Sequence, residues 1–149
     1  MATSKKSQAQ VGLELGFRSG LEVVVADQLT RHGIKVDYET VKLRYQKPPR
    51  LSLYTPDFVL PNGIIIETKG RFLTADRQKH KWIKEQHPDL DVRFVFSRAA
   101  TRISKTSQTS YAQWCEQYGF KWNDKLIPQA WLDEKPDAKR IAAIKKALK

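Results

Sequence analysis

Asp57, Glu67 and Lys69 are the residues of this sequence whose types and spacing could do chemistry together. They lie in the segment Pro56-Asp57-Phe58-Val59-Leu60-Pro61-Asn62-Gly63-Ile64-Ile65-Ile66-Glu67-Thr68-Lys69, where apolar runs flank the turn signal Pro61-Asn62-Gly63. If residues 61–63 form a three-residue loop, Leu60 faces Ile64, and three steps outward Asp57 stands opposite Glu67 on one face. Lys69, two residues on, joins that face. A two-residue Asn-Gly turn would instead pair Asp57 with Thr68 and turn Glu67 to the other side. Two neighbouring carboxylates repel one another unless a divalent cation lies between them. Magnesium suits carboxylates plus water, and such an ion orients water, lowers its pKa and offsets charge developing on a phosphate during in-line displacement. Lys69 would hold the attacking water or neutralise the developing charge. Singly, each residue also has an ordinary role: Asp57 in a turn, Glu67 exposed on a strand, Lys69 as its ion-pair partner.

These residues need a scaffold, and the surrounding pattern supplies one. Ser19-Gly20-Leu21-Glu22 has the capping-box form, and Leu21, Val24, Val25 and Leu29 follow at helical spacing. The helix should start near Ser19 and stop at Gly33, which suits the left-handed position past a helix end. Apolar residues alternate from Val36, and again through Val41, Leu43 and Tyr45, until Pro48-Pro49 interrupts any ladder. Residues 51–55 and 58–60 are strand-like, and with residues 64–69 they predict a hairpin. A helix over 75–86, ended by Pro88, and a buried strand over 92–96 then predict a parallel crossover. Residues 110–118, closed by Gly119, and residues 139–149 predict two further helices, the second basic. The sum to Phe96 is αβββαβ, an α/β fold with a mixed sheet and helices on its faces.

The 149 residues are enough for one compact domain and too few for two. With 27 Lys and Arg against 16 Asp and Glu, the formal charge is +11 and a polyanionic partner is favoured. No apolar run approaches the roughly 20 residues of a membrane-spanning helix, so nucleic acid is the expected partner and a membrane is not. Cys115 is the single cysteine, and residues 1–16 lack the apolar core of a secretory signal, so a cytoplasmic location is implied. Cys115 lies at helical spacing with Tyr111, Trp114 and Tyr118 and is expected in the core. Trp82, Trp114, Trp122 and Trp131 read as core before base-stacking, and His32, His80 and His87 share no zinc-ligand spacing. Residues 1–16 read as a mobile polar arm. On the 75–86 helix Arg77, Lys81 and Lys84 share a face that suits phosphate, while Lys79 falls on the apolar side. Arg44, Lys47 and Arg50 flank the proline pair, and Arg18 and Arg71 complete the candidate DNA contacts, which would position the protein without reading sequence.

The sequence resembles the bacteriophage endonuclease I group of Holliday-junction resolvases, within the restriction-endonuclease-like, PD-(D/E)xK superfamily. Phe17-Arg18-Ser19-Gly20-Leu21-Glu22, Tyr54-Thr55-Pro56-Asp57-Phe58, Leu60-Pro61-Asn62-Gly63, Glu67-Thr68-Lys69-Gly70 and Asp124-Lys125-Leu126-Ile127-Pro128 look like that family's blocks in order. The likeness spans residues 17–132, the implied nuclease domain, and leaves 133–149 as a basic helix or tail. It implies that Asp57, Glu67 and Lys69 are catalytic and that Glu22 is the remaining acidic residue. It also implies metal contacts from Glu22, Asp57, Glu67 and the Thr68 carbonyl. Without it, Glu22 is adequately explained as the capping-box partner of Ser19. The implied cofactor is Mg2+, with Mn2+ able to substitute and no small-molecule cofactor. The implied activity is structure-selective cleavage of four-way junctions and other branched DNA, in the host cytoplasm if phage-encoded. A sequence- or mismatch-directed nuclease of the same fold, and an architectural binder of branched DNA that does not cut, are the alternatives.

The resemblance further implies a segment-swapped homodimer. Pro48-Pro49 stiffens residues 45–55, which when extended reach about 30 Å. Such a bridge could carry the hairpin away from its own first helix, so that Glu22 of one chain completes the Asp57, Glu67, Lys69 set of the other.

Overall fold

The computed structural model describes residues 20–47 and 50–148, without the side chains of residues 46, 47 and 50. The arm at 1–16, Arg18, Ser19 and Pro48-Pro49 lie outside the described residues, as do the Lys47 and Arg50 side chains. In chain order the elements are α1 (Gly20–Arg31), β1 (Asp37–Tyr38), β2 (Leu43–Lys47), β3 (Arg50–Tyr54), β4 (Phe58–Val59), β5 (Ile64–Lys69) and α2 (Thr74–Gln86). After these come β6 (Asp91–Phe96), α3 (Tyr111–Tyr118), β7 (Lys121–Asp124), α4 (Gln129–Asp133) and α5 (Ala138–Ala147). The main sheet has the order β1-β4-β5-β6-β7, antiparallel from β1 to β5 and parallel from β5 to β7, while β2 and β3 form a separate ribbon. A mixed α/β architecture with a β5-α2-β6 crossover is therefore present, as the pattern predicts.

Alternation along β5 divides the core between the faces of the sheet. Ile64 and Ile66 join Val25 and Leu29 of α1, with Phe58, Val95 and Trp131. Ile65 faces the other way, toward a cluster holding Ile83 of α2, Trp114 and Cys115 of α3, and Phe94 and Phe96. Cys115 and Trp114 are thus core residues, and burial pushes the Cys115 thiol up to about 12. Gly33 closes α1 at φ +65°, and Gly119 closes α3 at φ +78°.

The loop at 61–63 has the three-residue form. Phe58 pairs with Ile66 and Val59 with Ile65, and the Leu60 N–H donates to the Ile64 carbonyl at 2.9 Å. Continuing that register outward sets Asp57 across from Glu67. The loop is clasped from a distance: the Asn62 amide donates to the Trp131 and Glu134 carbonyls, both at 3.1 Å, and Arg140 Nε donates to the Asn62 carbonyl at 2.8 Å. Gly63 has φ +90°, and a Cβ there would come within 2.8 Å of Ile141. Any side chain at 63 would be strained by its backbone and would also push α5 off the turn. Arg93, buried in β6, pairs with Asp91 and Glu134, and Arg140 bonds to both of the same carboxylates. The Arg93 hydrogen bonds, ahead of those from Arg140, hold the Glu134 carboxyl down at about 2. The basic terminal helix is therefore docked on the turn that sets the spacing of the candidate site.

Within the single chain the stretch read as an extended bridge is instead folded back on itself. Leu43 pairs with Tyr54 and Lys47 with Arg50 across the ribbon. Leu43, Tyr45 and Tyr54 are buried against the α2 side of the core, so backbone pairing and apolar burial both favour the doubled-back form.

Candidate active site

Four elements converge on one end of the β4-β5 hairpin. α1 brings Glu22, buried at the third helical position, and the Tyr38 hydroxyl donates to its Oε2. Just beyond β1, Glu39 takes the left-handed region at φ +51°, its N–H donating to the Asp57 carbonyl at 3.3 Å. Asp57 Oδ2 accepts from the Thr68 N–H at 2.9 Å and from the Thr68 hydroxyl at 2.8 Å. One carboxylate oxygen each from Glu22, Glu39 and Asp57 lie within 4.8 Å of one another.

Glu67 is 3% exposed and accepts a hydrogen bond from the Tyr54 hydroxyl. Lys69 Nζ stands 3.9 Å from Glu67 and 3.4 Å from Asp76, and Lys79 Nζ lies 5.5 Å above the Tyr54 ring. The donor set is made of hard carboxylate oxygens. That composition suits magnesium, and a buried acidic cluster is the environment in which a divalent charge relieves most repulsion. The residues present therefore fit the expected ion.

The electrostatics have a measurable consequence. Glu67 is raised from 4.5 to about 8, first by burial and then by the charge of Asp57, with Lys69, Tyr54 and Lys79 pulling the other way. The folded chain thus keeps a proton that the unfolded chain releases, so this contribution to stability is full below about 4.5 and is lost as pH rises to about 8. Melting temperature in chelator is expected to fall by several degrees between about pH 5.5 and 8.5 from this group. Magnesium should stabilise more at the upper end, and Glu67→Gln should flatten the metal-free slope. A Glu67→Gln profile that keeps the full wild-type slope would refute this assignment.

The single chain brings together Glu22, Asp57 and Thr68, with Glu67 and Lys69 alongside. Within the single chain Glu22 meets Asp57 of the same chain. The Glu22 side chain is directed to Tyr38 and the acidic cluster, while its expected capping partner Ser19 lies outside the described residues.

Tyr38, Glu39, Tyr54 and Lys79 also contribute, and the sequence pattern assigns none of them to the site. Tyr54 opens the block that contains Asp57, which was the available signal. Lys79 was placed on the apolar side of its helix, and that side faces Tyr54. Glu39 belongs to no motif.

On the face of α2 that suits phosphate, Arg77, Lys81 and Lys84 each have a partner within the chain. Arg77 is buried, and its guanidinium donates to the Phe72 carbonyl and, at 3.5 Å, to the Ile103 carbonyl. Lys81 lies over the Tyr118 ring at 4.7 Å, and Lys84 lies over Phe120 at 4.6 Å and donates to the Gly119 carbonyl. These cations are engaged by carbonyls and rings that the helical period alone does not reveal. Arg44 and Arg71 are exposed.

A family model described as phage endonuclease I matches residues 1–149. Endonuclease I of Escherichia phage T7 is 53% identical over 118 residues, covering 79% of each chain. Endodeoxyribonuclease 1 of Enterobacteria phage T3 is 54% identical over 118 residues, covering 79% of this chain and 78% of the relative.

Proposed function

Because the chain belongs to the phage endonuclease I family, and so is a phage endonuclease, we propose that it cuts branched DNA, four-way junctions above all, by metal-dependent phosphodiester hydrolysis. The observation that carries this reading is the meeting of Glu22 and Asp57 at the same hairpin end as Glu67 and Lys69, although α1 and β5 are remote in sequence. Residues 17–132 form the nuclease proper in this reading.

Asp57, Glu67 and Glu22, with the Thr68 carbonyl, would hold Mg2+, and Mn2+ would replace it. Bound there, the ion supplies charge to the phosphate and acidity to a water molecule. The protein's own groups do the rest. The Tyr54 hydroxyl fixes one oxygen of Glu67, Tyr38 fixes Glu22, and the two Thr68 donors fix Asp57, so the carboxylates are oriented before substrate arrives. Lys69 projects a cation beside Glu67, where it holds the attacking water or steadies the oxygen on which charge develops. One P–O bond forms from water and the bridging P–O bond breaks, leaving a phosphate end and a hydroxyl end. No described helix is long and apolar enough to cross a membrane.

The proposal extends to a homodimer. If two copies open their β2-β3 ribbons and exchange the parts on either side, the contacts that join those parts in the closed chain can form between chains instead.

The deciding assay incubates the full chain with a four-way junction and with a linear duplex of matched sequence, with and without magnesium. Cleavage is expected in magnesium or manganese only, and on the junction in preference to the duplex. Affinity should fall steeply with salt as phosphate contacts are lost, while discrimination persists because it comes from shape. Equal cutting of duplex and junction would favour a sequence- or mismatch-directed enzyme. Binding without cutting in either metal would favour an architectural role.

A further inference from the structure

We propose that the groove between the ends of β5 and β6 and the loop 97–110 is the track for the sugar-phosphate backbone of the strand being cut. The inference rests on the nuclease reading and assigns it a substrate-binding surface beside the candidate site. The groove has a volume of about 660 Å³, and Arg71, Arg98, Arg102 and Lys105 line it without any carboxylate. All four are exposed, and none makes an ion pair among the described residues. Several cations elsewhere are committed within the chain: Arg93 and Arg140 to Asp91 and Glu134, Lys81 and Lys84 to rings. Four cations concentrated in one concavity without counter-charges make a site for a polyanion.

Position links the groove to the chemistry. Arg71 is two residues past Lys69. Phe96 pairs with Lys69 across the parallel strands, the Ser97 N–H donates to the Lys69 carbonyl at 3.1 Å, and Arg98 follows directly. Both strands therefore run from the candidate site into the groove at their carboxyl ends, the edge at which open α/β sheets bind ligands.

The loop that carries Arg102 and Lys105 is also held in shape. Ile103 donates to the Thr109 carbonyl at 2.8 Å, and Tyr111 donates to that of Thr101 at 2.8 Å. Arg102 bridges Ser110, the Ala99 N–H donates to Asp124 at 2.6 Å, and Arg77 ties the Ile103 and Phe72 carbonyls together from below. The cations are thus presented on a prearranged wall, which reduces the ordering cost of binding. Contacts of this kind hold the backbone in register and read no base.

The test compares Arg102→Ala/Lys105→Ala with Lys121→Ala/Lys139→Ala, which removes two exposed cations, one at the start of β7 and one on α5, near the opposite end of β6. Binding to a four-way junction and to a linear duplex is titrated in calcium over a range of salt concentrations, with melting temperature as the check on folding. The groove pair is expected to bind both DNAs about tenfold or more weakly, with the slope of log affinity against log salt shallower by about 1 to 2. The control pair should keep the wild-type slope. Equal losses in both pairs, or an unchanged slope in the groove pair, would overturn the groove while wild-type cleavage in magnesium leaves the nuclease reading standing. A wild type that cuts no DNA in magnesium or manganese would remove the nuclease reading and the groove with it. Should the groove pair melt earlier than wild type, Arg102→Gln/Lys105→Gln replaces it and the same slopes decide.

Discussion

Asp57→Asn and Glu67→Gln are each expected to slow junction cleavage by roughly a thousandfold or more, while binding to the junction in calcium survives. Both changes remove a charge and little else. Asparagine keeps one oxygen toward the Thr68 donors that hold Asp57, so the hairpin should stay in register. Glutamine at 67 keeps an oxygen for Tyr54 and also ends the repulsion from Asp57 that helps raise the Glu67 carboxyl to about 8. The metal-free Glu67→Gln protein should therefore melt no earlier than wild type near pH 8, and higher if the repulsion dominates. Loss of cutting without loss of stability separates catalysis from folding. Binding survives because it draws on the cations and not on the carboxylates. Glu22→Gln should lose cutting as well. If it only lowers the melting temperature, the role of Glu22 at the start of α1 is structural, and wild-type rates in either of the other two would sink the site assignment.

Co-expressed Glu22→Ala and Asp57→Ala chains are expected to recover nicking that neither chain has alone. In the closed chain Glu22 and Asp57 stand together, with the β2-β3 ribbon running between the parts that carry them. Opening two ribbons and exchanging those parts keeps the contacts that join them but forms these between chains. In a heterodimer so built, one site carries both defects and the other carries neither, so random pairing leaves about a quarter of all sites intact. Purified homodimers mixed after folding would exchange slowly, because the ribbon pairing and the burial of Leu43, Tyr45 and Tyr54 must be undone; co-expression or joint refolding avoids this. A heterodimer shown to form, yet inactive on junctions in magnesium, would mean that each site lies within one chain, as in the closed form. A chain that sediments as a monomer and cuts junctions would remove the dimer altogether.

Much of the fold around the site is local in origin and was legible in the sequence. Gly33 and Gly119 stop helices because glycine tolerates the left-handed region, and both were readable as such. The β-branched run of β5 and the Pro61-Asn62-Gly63 turn predict the hairpin, and the two possible turn lengths define two incompatible sites. Which turn forms was decided elsewhere. Asn62 is held by carbonyls of Trp131 and Glu134, and α5 leaves no room for a side chain at Gly63. Strand β7 was missed because Lys121-Trp122-Asn123-Asp124 has no apolar alternation; it is a strand only because β6 offers it a parallel partner.

The cations show the same division. Helical period correctly gathers Arg77, Lys81 and Lys84 as charged residues of one element, but it carries no information about which remote groups cover that element. Phe120 and Tyr118 arrive from α3 and its exit, and the Phe72 and Ile103 carbonyls capture Arg77. Glu39 lies in no motif and reaches the acidic cluster through a left-handed backbone beside Asp57, a conformation rarely adopted by such a residue without support from its surroundings. Residue types and short-range spacing thus determined that this chain carries paired acids, a lysine beside them and an excess of positive charge. Tertiary structure decided which acids meet and which cations stay open to a polyanion, because those outcomes depend on partners supplied by segments distant along the chain.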